Sequence, residues 1–537
     1  MPLNFLGETM QYGRQIIWTD EPEITKDNVI DVLTKALKSH ETISSDIDEL
    51  ISYEAGEQTL DRLKTYRPEI DNVCVDNIAN EVTEFNLGYF WGNPATFVQR
   101  AKDSTDVPDE VNVVSMLNEQ YDASGHRTKT QENARFVEIC GIGYTYIDLN
   151  TEWEEGDAYF TRDVLDPRTA FIVRSNYYPD HRPMLGVTFR NVKKDGVTYK
   201  YYTCFSRDQR FELNNEQGDI AHGERSGEKN PLGRIPICEW FRAYDRMGCF
   251  ERQISEMDNL NLLISDVTND VEQNTQMLWW ANNIEFEKEV TVDEEGNTVE
   301  TVKKPAPGEW LQTFTTQDGQ SPSVKPLVVD YDYGGMLNNI LYRRALILQK
   351  CNVPSRNDNS GGSTGIAMSD ATGWSQAEAA ASKEEQIIEG CMIEELKVVL
   401  AAIRECPAID SNNPLLLLKY SDTKPNFKRQ KTYELTTKTN AIATLLGHGF
   451  SLEDCVSTVP LFDDPSQVVT RSGEGVRKYQ ETIFKSENEA EGGEDESAPD
   501  ADKTIQDESD QIGNSPNLDG MVTDVVSESA RRTDNTQ

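Results

Sequence analysis

Between Thr25 and Tyr53 the apolar residues Val29, Val32, Leu33, Leu37, Ile43, Ile47, Leu50 and Ile51 recur at roughly helical spacing, and Thr25 with Asp27 supplies a start signal. The polar break between Leu37 and Ile43 predicts two short helices. A further helix is predicted over about Asn72 to Phe90, on the stripe Val73, Ile78, Val82, Phe85 and Tyr89, with Gly92-Asn93-Pro94 forbidding its continuation. Val111 to Tyr121 and Thr130 to Cys140 read as helices again. From Gly141 to Trp240 the character changes to β-branched and aromatic runs: Tyr144 to Ile147, Phe171 to Val173, Leu185 to Phe189 and Val197 to Phe205. Turns such as Lys194-Asp195-Gly196 divide them, so a β-rich module follows the helices.

Phe250 to Trp280 contains neither Gly nor Pro and carries Ile254, Met257, Leu260, Ile264, Val267, Val271 and Leu278 near helical period. It predicts one long helix, a rod of about 45 Å. Ile284 to Val290 and Val299 to Val302 flank the turn at 293–297, and Trp310 to Phe314 and Val324 to Val329 add strands. A returning helix spans about Gly335 to Cys351, with Met336, Leu337, Ile340, Leu341, Ala345, Leu346 and Leu348, and stops before Asn352-Val353-Pro354. Helix, β insertion and returning helix make a hairpin-like stalk. Arg356 to Gly365 is polar and Gly-rich, an exposed mobile loop by composition, and Trp374 to Arg404 resumes as an Ala- and Glu-rich helix. Leu415 to Leu418 reads as a buried strand, with short helices at Leu435 to Leu446 and Leu452 to Val459 around Gly447-His448-Gly449. Beyond Lys485 acidic residues dominate and disorder is expected. No fixed-period repeat is present.

The 537 residues suffice for roughly three to four domains. Lys and Arg total 52 against 93 Asp and Glu, and the formal charge of -41 argues against a conventional basic groove that grips phosphates by counterion release. Hydrophobic residues at 37% and aromatics at 9% let most of the chain fold. The cysteines, Cys74, Cys140, Cys204, Cys238, Cys249, Cys351, Cys391, Cys406 and Cys455, include no Cys-x-x-Cys pair, which predicts reduced, mostly buried thiols in a cytosolic setting. Neither the start, Met1 to Gly7, nor any apolar run approaching ~20 residues points to secretion or membrane insertion.

Candidate chemistry is sparse. His40, His126, His181, His222 and His448 have no metal-ligand spacing and read as ordinary surface or turn histidines. Gly361-Gly362-Ser363-Thr364-Gly365 lacks the Lys of a phosphate loop, and Gly141-Ile142-Gly143 lacks the third glycine of a dinucleotide fingerprint and leads into a strand; loop and turn are the simpler readings. Acidic pairs such as Glu154-Glu155 and Glu294-Glu295 are what so acidic a chain produces by chance. No Gly-x-Ser-x-Gly elbow or cysteine-nucleophile signature occurs. No catalytic, cofactor or metal site, and no enzyme, is expected.

Several segments in order carry a resemblance. Asn72-Val73-Cys74-Val75-Asp76-Asn77-Ile78 leads to Asn86-Leu87-Gly88-Tyr89-Phe90-Trp91-Gly92-Asn93-Pro94. Ser265 to Glu272, Ser363 to Met368, Gly449 to Asp454 and Pro460 to Pro465 follow. Together they resemble the portal proteins of long-tailed (siphovirus-type) bacteriophages over about Asn72 to Pro465. One departure is Ser466-Gln467-Val468-Val469, where the family often has an acidic residue shortly after the Asp-Pro.

The resemblance implies an α+β fold: a mixed wing domain (1–249), stem helices at 250–280 and 334–352 around a small β-rich clip (281–333), a tunnel loop (353–367), a long wing helix (368–406), a C-terminal wing or crown region (407–484) and a disordered acidic tail (485–537). It implies a homo-oligomeric ring of twelve at one capsid vertex of the virion, assembled in the host cytoplasm. The ring would serve as the channel for packaging and ejection of double-stranded DNA without sequence specificity. Its partners would be the packaging motor (terminase), the head-to-tail adaptor, and the major capsid and scaffolding proteins, with no membrane. Arg356, Asn357, Asp358, Ser360 and Thr364 would face DNA, and Lys303, Lys304 and Trp310 would contact clip partners. Repulsion between acidic subunits and phosphate suits a conduit in which DNA slides; acidity that merely keeps an assembly soluble is the simpler alternative. Another phage head or connector protein is the alternative identity.

Overall fold

The computed structural model describes residues 13–60, 69–100, 113–177, 181–275, 278–285, 288–292, 298–302, 314–315, 323–327, 332–354, 373–427, 429, 434–452, 455–456, 472 and 475. Helix α1 (Val29–Glu54) is one continuous helix of 26 residues where two were expected. The sequence break disappears because His40 belongs to the buried face, which runs Val29, Leu33, Ala36, His40, Ile43, Ile47, Leu50. Its ring stacks on Phe171 at 4.4 Å, with Nε2 3.1 Å from the Pro167 carbonyl, so a polar residue continues an apolar stripe. Helix α2 (Ile78–Tyr89) starts six residues later than expected, capped by the Asn77 side chain, and 72–77 runs without helix before it. Helices α3 (Val113–Ala123) and α4 (His126–Cys140) follow; α4 ends on Gly141 at φ 77°, which alone makes the turn, since Ile142 and Gly143 already belong to the strand that the sequence suggested.

The β-rich module has two sheets. The strands are β1 (Ile17–Thr19), β2 (Thr96–Gln99), β3 (Ile142–Leu149), β4 (Phe160–Leu165), β5 (Ala170–Ser175), β6 (Pro183–Lys194), β7 (Val197–Phe205), β8 (Gln209–Gln217), β9 (Asp219–His222), β10 (Glu228–Lys229) and β11 (Ile237–Phe241). The larger sheet has the order β1-β5-β6-β7-β8-β10, with β9 also on β8; only β1 joins in parallel. The smaller is β11-β3-β4. Asp195 and Gly196, at φ 52° and 82°, turn β6 into β7; both central residues at positive φ match the right-handed twist of the strands they join.

Helix α5 (Ile254–Thr275) follows a 3-10 turn at Glu251–Gln253. It ends before Trp280, correcting the long-rod expectation, because 278–282 pairs as a strand. Three antiparallel pairs are nested in the insertion: β12 (Leu278–Asn282) with β17 (Ser323–Leu327), β13 (Ile284–Glu285) with β16 (Phe314–Thr315), and β14 (Lys288–Val292) with β15 (Thr298–Val302). Helix α6 (Tyr333–Lys350) returns, and α7 (Trp374–Glu405) is the long Ala- and Glu-rich helix. Leu415 to Leu418 is not a strand but a 3-10 turn at Pro414–Leu417. Asn413 caps it, and Leu415 and Leu418 turn inward at a spacing of three while Leu417 is exposed. Strand β18 (Thr423–Asn426) pairs with β2, and α8 spans Glu434–Gly447. The chain divides into two compact units, Met1–Thr436 and Thr437–Gln537. In the second, Leu452, Cys455 and Val456 are helical, and the rest of the helix expected to Val459 lies outside the described residues.

Two apolar clusters hold the first unit. One gathers α1, the start of α2, the larger sheet and the near ends of α5 and α6; the other gathers α3, α4, β3, β11 and α7. The second has a polar centre. Glu395 of α7 accepts from Arg162 Nε (3.0 Å), Thr145 Oγ1 (2.5 Å) and Trp240 Nε1 (3.2 Å), tying α7 to all three strands of the smaller sheet. Arg162 is fully buried, and its two terminal nitrogens have no hydrogen-bond partner among the described residues.

Candidate functional site

Helices α5 and α6 form the stalk that the sequence suggested. Arg343, late in α6, reaches Glu256, early in α5, as antiparallel neighbours require. Asp332 caps α6 by accepting from the Gly335 amide at 2.9 Å. Asn352, at φ 60°, ends it before Pro354, and burial pushes the Cys351 thiol just beyond it up to about 12.

The buried face of α5 changes chemistry along its length. Met257 and Leu260 are apolar, but Asn261, Ser265 and Asn269, spaced four residues apart, are polar and almost fully buried. Such residues are poor helix formers, and here each serves the backbone of a second segment. Asn269 Oδ1 accepts from the Asn72 amide at 2.8 Å while its Nδ2 donates to the Asn72 carbonyl at 3.2 Å. Ser265 Oγ accepts from the Cys74 amide at 2.9 Å, and Asn261 Oδ1 from the Asp76 amide at 2.9 Å. The rungs are alternate residues, 72, 74 and 76. Two extended residues advance about 6.6 Å and four helical residues about 6.0 Å, so the two repeats run in step. At about 0.5–1.5 kcal/mol net per hydrogen bond, the three rungs together decide whether 72–76 lies on the helix.

Around this ladder the stalk is fastened to the body. Asn261 donates to Gln58, which donates in turn to Asn77. Tyr53 donates to Asp258 at 2.8 Å, and burial, reinforced by that carboxylate, raises the phenol's pKa. Arg344 of α6 grips Asp76 at 2.9 Å and also Glu81; burial opposes its charge, but the two carboxylates prevail and hold its pKa above the ordinary value. The resembling segments Asn72 to Ile78 and Ser265 to Glu272, far apart in sequence, are therefore one joint.

The outward face of α6 is the opposite. Tyr333, Leu337 and Leu341, at intervals of four, are 40, 56 and 54% exposed, and Tyr342 is 68% exposed. Val271 of α5 is exposed as well. Helix α6 carries Arg343, Arg344 and Lys350 and no acid, whereas α5 carries Glu256, Asp258, Asp266, Asp270 and Glu272 and no base. An apolar stripe thus lies beside two helices of opposite charge.

Other expected residues fare differently. Arg356, Asn357, Asp358, Ser360 and Thr364, and Lys303, Lys304 and Trp310, lie outside the described residues, as do Glu294-Glu295 and the Gly361 to Gly365 segment. Glu154 and Glu155 are exposed. His40 and His126 are not surface histidines but buried ones: His126 sits between the Ala95 carbonyl and Thr130, and burial lowers its pKa. None of the nine cysteines is in a disulfide, and seven are buried. Among the described residues no cluster of His, Cys, Asp or Glu could hold a metal ion, and no helix is long and apolar enough to cross a membrane. The ladder itself went unread; three helix-poor polar residues at intervals of four on an otherwise apolar face were its signal.

A search of curated proteins finds no match to the chain. Among solved structures, similar chains occur in the virion of a native gene transfer agent particle (TM-score 0.39, 9% identity, covering 78% of this chain and 94% of that one). Others occur in the neck of the empty particle computed with C6 symmetry (0.38, 9%, 72% and 90%) and of the native particle computed with C12 symmetry (0.39, 9%, 72% and 90%). Identification rests instead on the sequence family. The model described as phage portal protein, SPP1 Gp6-like, matches residues 34–491, a span that takes in both the ladder and the stalk, and the chain belongs to that family of portal proteins.

Proposed function

We propose that copies of the chain assemble through their stalk helices into a ring of twelve at one vertex of the capsid, and that DNA enters and leaves through the ring. As a portal protein the chain is a structural subunit of the virion, not an enzyme. The observation that carries the ring is the exposed apolar pair Leu337 and Leu341, one turn apart on a basic helix beside an acidic one. A basic helix of one copy seated on the acidic helix of the next makes a head-to-tail contact, and such contacts close into rings when the rotation allows. In this reading 1–249 is the wing, 281–333 the clip, 353–367 the tunnel loop, 368–406 the long wing helix, 407–484 the wing or crown region and 485–537 an acidic tail. Arg356, Asn357, Asp358, Ser360 and Thr364 face the passing duplex, and Lys303, Lys304 and Trp310 meet the packaging motor or the head-to-tail adaptor. Capsid and scaffolding proteins surround the wing. The chain's charge of -41 supports passage over gripping, since phosphates find few cations to hold them.

Electron microscopy with sedimentation velocity tests this on the purified full chain. Wild type forms rings with an axial channel, and Leu337→Glu with Leu341→Glu yields monomers of unchanged circular dichroism. A compact two-fold dimer, or rings unaffected by the two glutamates, refutes the reading.

A further inference from the structure

Away from the stalk, a groove of about 780 Å³ opens between α7 and the strands β5 and β11. Its floor is apolar, with Ile172, Ile237, Ile387 and Val398, and Gly390 of α7 leaves it open, since a Cβ there would meet nothing within 4 Å. Its walls are basic: Arg174, Arg182, Arg207 and Arg234, in a chain whose acids outnumber its bases by 93 to 52. The two carboxylates in the lining are already engaged. Glu239 accepts from both Arg174 (2.7 Å) and Arg246 (3.0 Å), and Glu394 from Lys397 (2.5 Å). Arg207 and Arg234 are exposed, and their guanidinium groups have no partner among the described residues. Tyr244, 80% exposed, stands at the rim.

Concentrated arginine over an apolar floor selects an anionic chain that also brings small or apolar side chains. A DNA duplex fits poorly: it is too wide for a groove of ligand size, and the protein's net charge repels it. The sequence itself contains the complementary segment. Residues 486–500 hold seven acidic side chains and no basic one, with Ala490, Ala498 and Pro499 among them. We propose that this groove receives the acidic segment 486–500 of a second copy of the chain, its carboxylates paired with Arg207 and Arg234. The inference goes beyond ring formation and does not require it, because two copies suffice.

The test uses the full chain with a photo-reactive benzoylphenylalanine in place of Tyr244, mixed as isotopically heavy and light copies, irradiated, and analysed by mass spectrometry. Heavy-light adducts between the rim and 486–500 are expected. Their yield should fall about tenfold in the Arg207→Glu, Arg234→Glu variant, both changes being at exposed side chains, and should return when Glu487, Glu489 and Glu491 are changed to Lys in the same chain. Adducts to 486–500 only within one copy overturn the assignment to a second copy. A yield unchanged by charge reversal, or adducts to other segments alone, overturns the site. Replacement of the peptide adducts by adducts to an added duplex oligonucleotide makes the groove a nucleic-acid site and overturns it as well.

Discussion

Replacing Glu395 by Ala removes the carboxylate that pairs with a fully buried arginine. Arg162 loses the bond from Nε, and its two terminal nitrogens already have no hydrogen-bond partner among the described residues, so a whole positive charge is left in the core. Breaking a buried pair from one side costs about 3–5 kcal/mol, most of it the desolvation of the abandoned charge and not the lost contact. Trp240 is spared, because its indole also donates to Thr145 Oγ1 at 3.0 Å, while Thr145 itself loses an acceptor. The double change Arg162→Met with Glu395→Leu removes both charges at similar volume and should recover most of the loss, short of about 1–3 kcal/mol for the stranded hydroxyl. Urea unfolding followed through tryptophan emission reads the effect where it arises, since Trp240 touches Glu395 directly. A double variant as unstable as the single one, or a single variant within about 0.5 kcal/mol of wild type, refutes the reasoning.

Ser265→Ala strands the Cys74 amide and should cost about 1–3 kcal/mol; hydrogen exchange over 70–77 should quicken, and unchanged protection there counts against the ladder. Gly141→Ala forces a side chain into φ 77° and sets its Cβ 2.3 Å from the Arg246 carbonyl, so a loss of about 2 kcal/mol or more in thermal unfolding is expected, with an unchanged midpoint as the contrary result. His40 and His126 have pKa values lowered first by burial, so the unfolded chain takes up protons that the folded chain refuses. Their contribution is complete above the ordinary 6.5 and is lost as pH falls through it toward the lowered folded values; His126→Gln should flatten that fall in the urea midpoint, and parallel curves would tell against it.

Legibility in the sequence followed the range of the forces involved. The β6–β7 turn, α6 and α7 were readable because a hairpin turn and an amphipathic helix are fixed by residues close in sequence. His40 split α1 on paper because a histidine scores as polar, whereas a ring stacked on Phe171 behaves as core. Leu415 to Leu418 misled because an apolar run does not distinguish alternation from a spacing of three. The end of α5 was invisible because no Gly or Pro marks it; pairing with 323–327 does. The stripe on α6 could be listed residue by residue, but periodicity gives a face and not what covers it. The ladder lay deepest: Asn261, Ser265 and Asn269 stand at a visible interval of four, but nothing local says that they bond the backbone of a segment nearly two hundred residues away.

That ladder also gives the stalk fixed stops. Sliding α5 past 72–76 by one residue would swing its side chains by about 100° and empty every rung at once. Sliding it by a whole turn would bring two of the three polar residues back opposite alternate amides and leave one unmatched. The joint therefore resists small displacements and has its next resting position a turn away, the behaviour of an indexed shaft and not of a hinge.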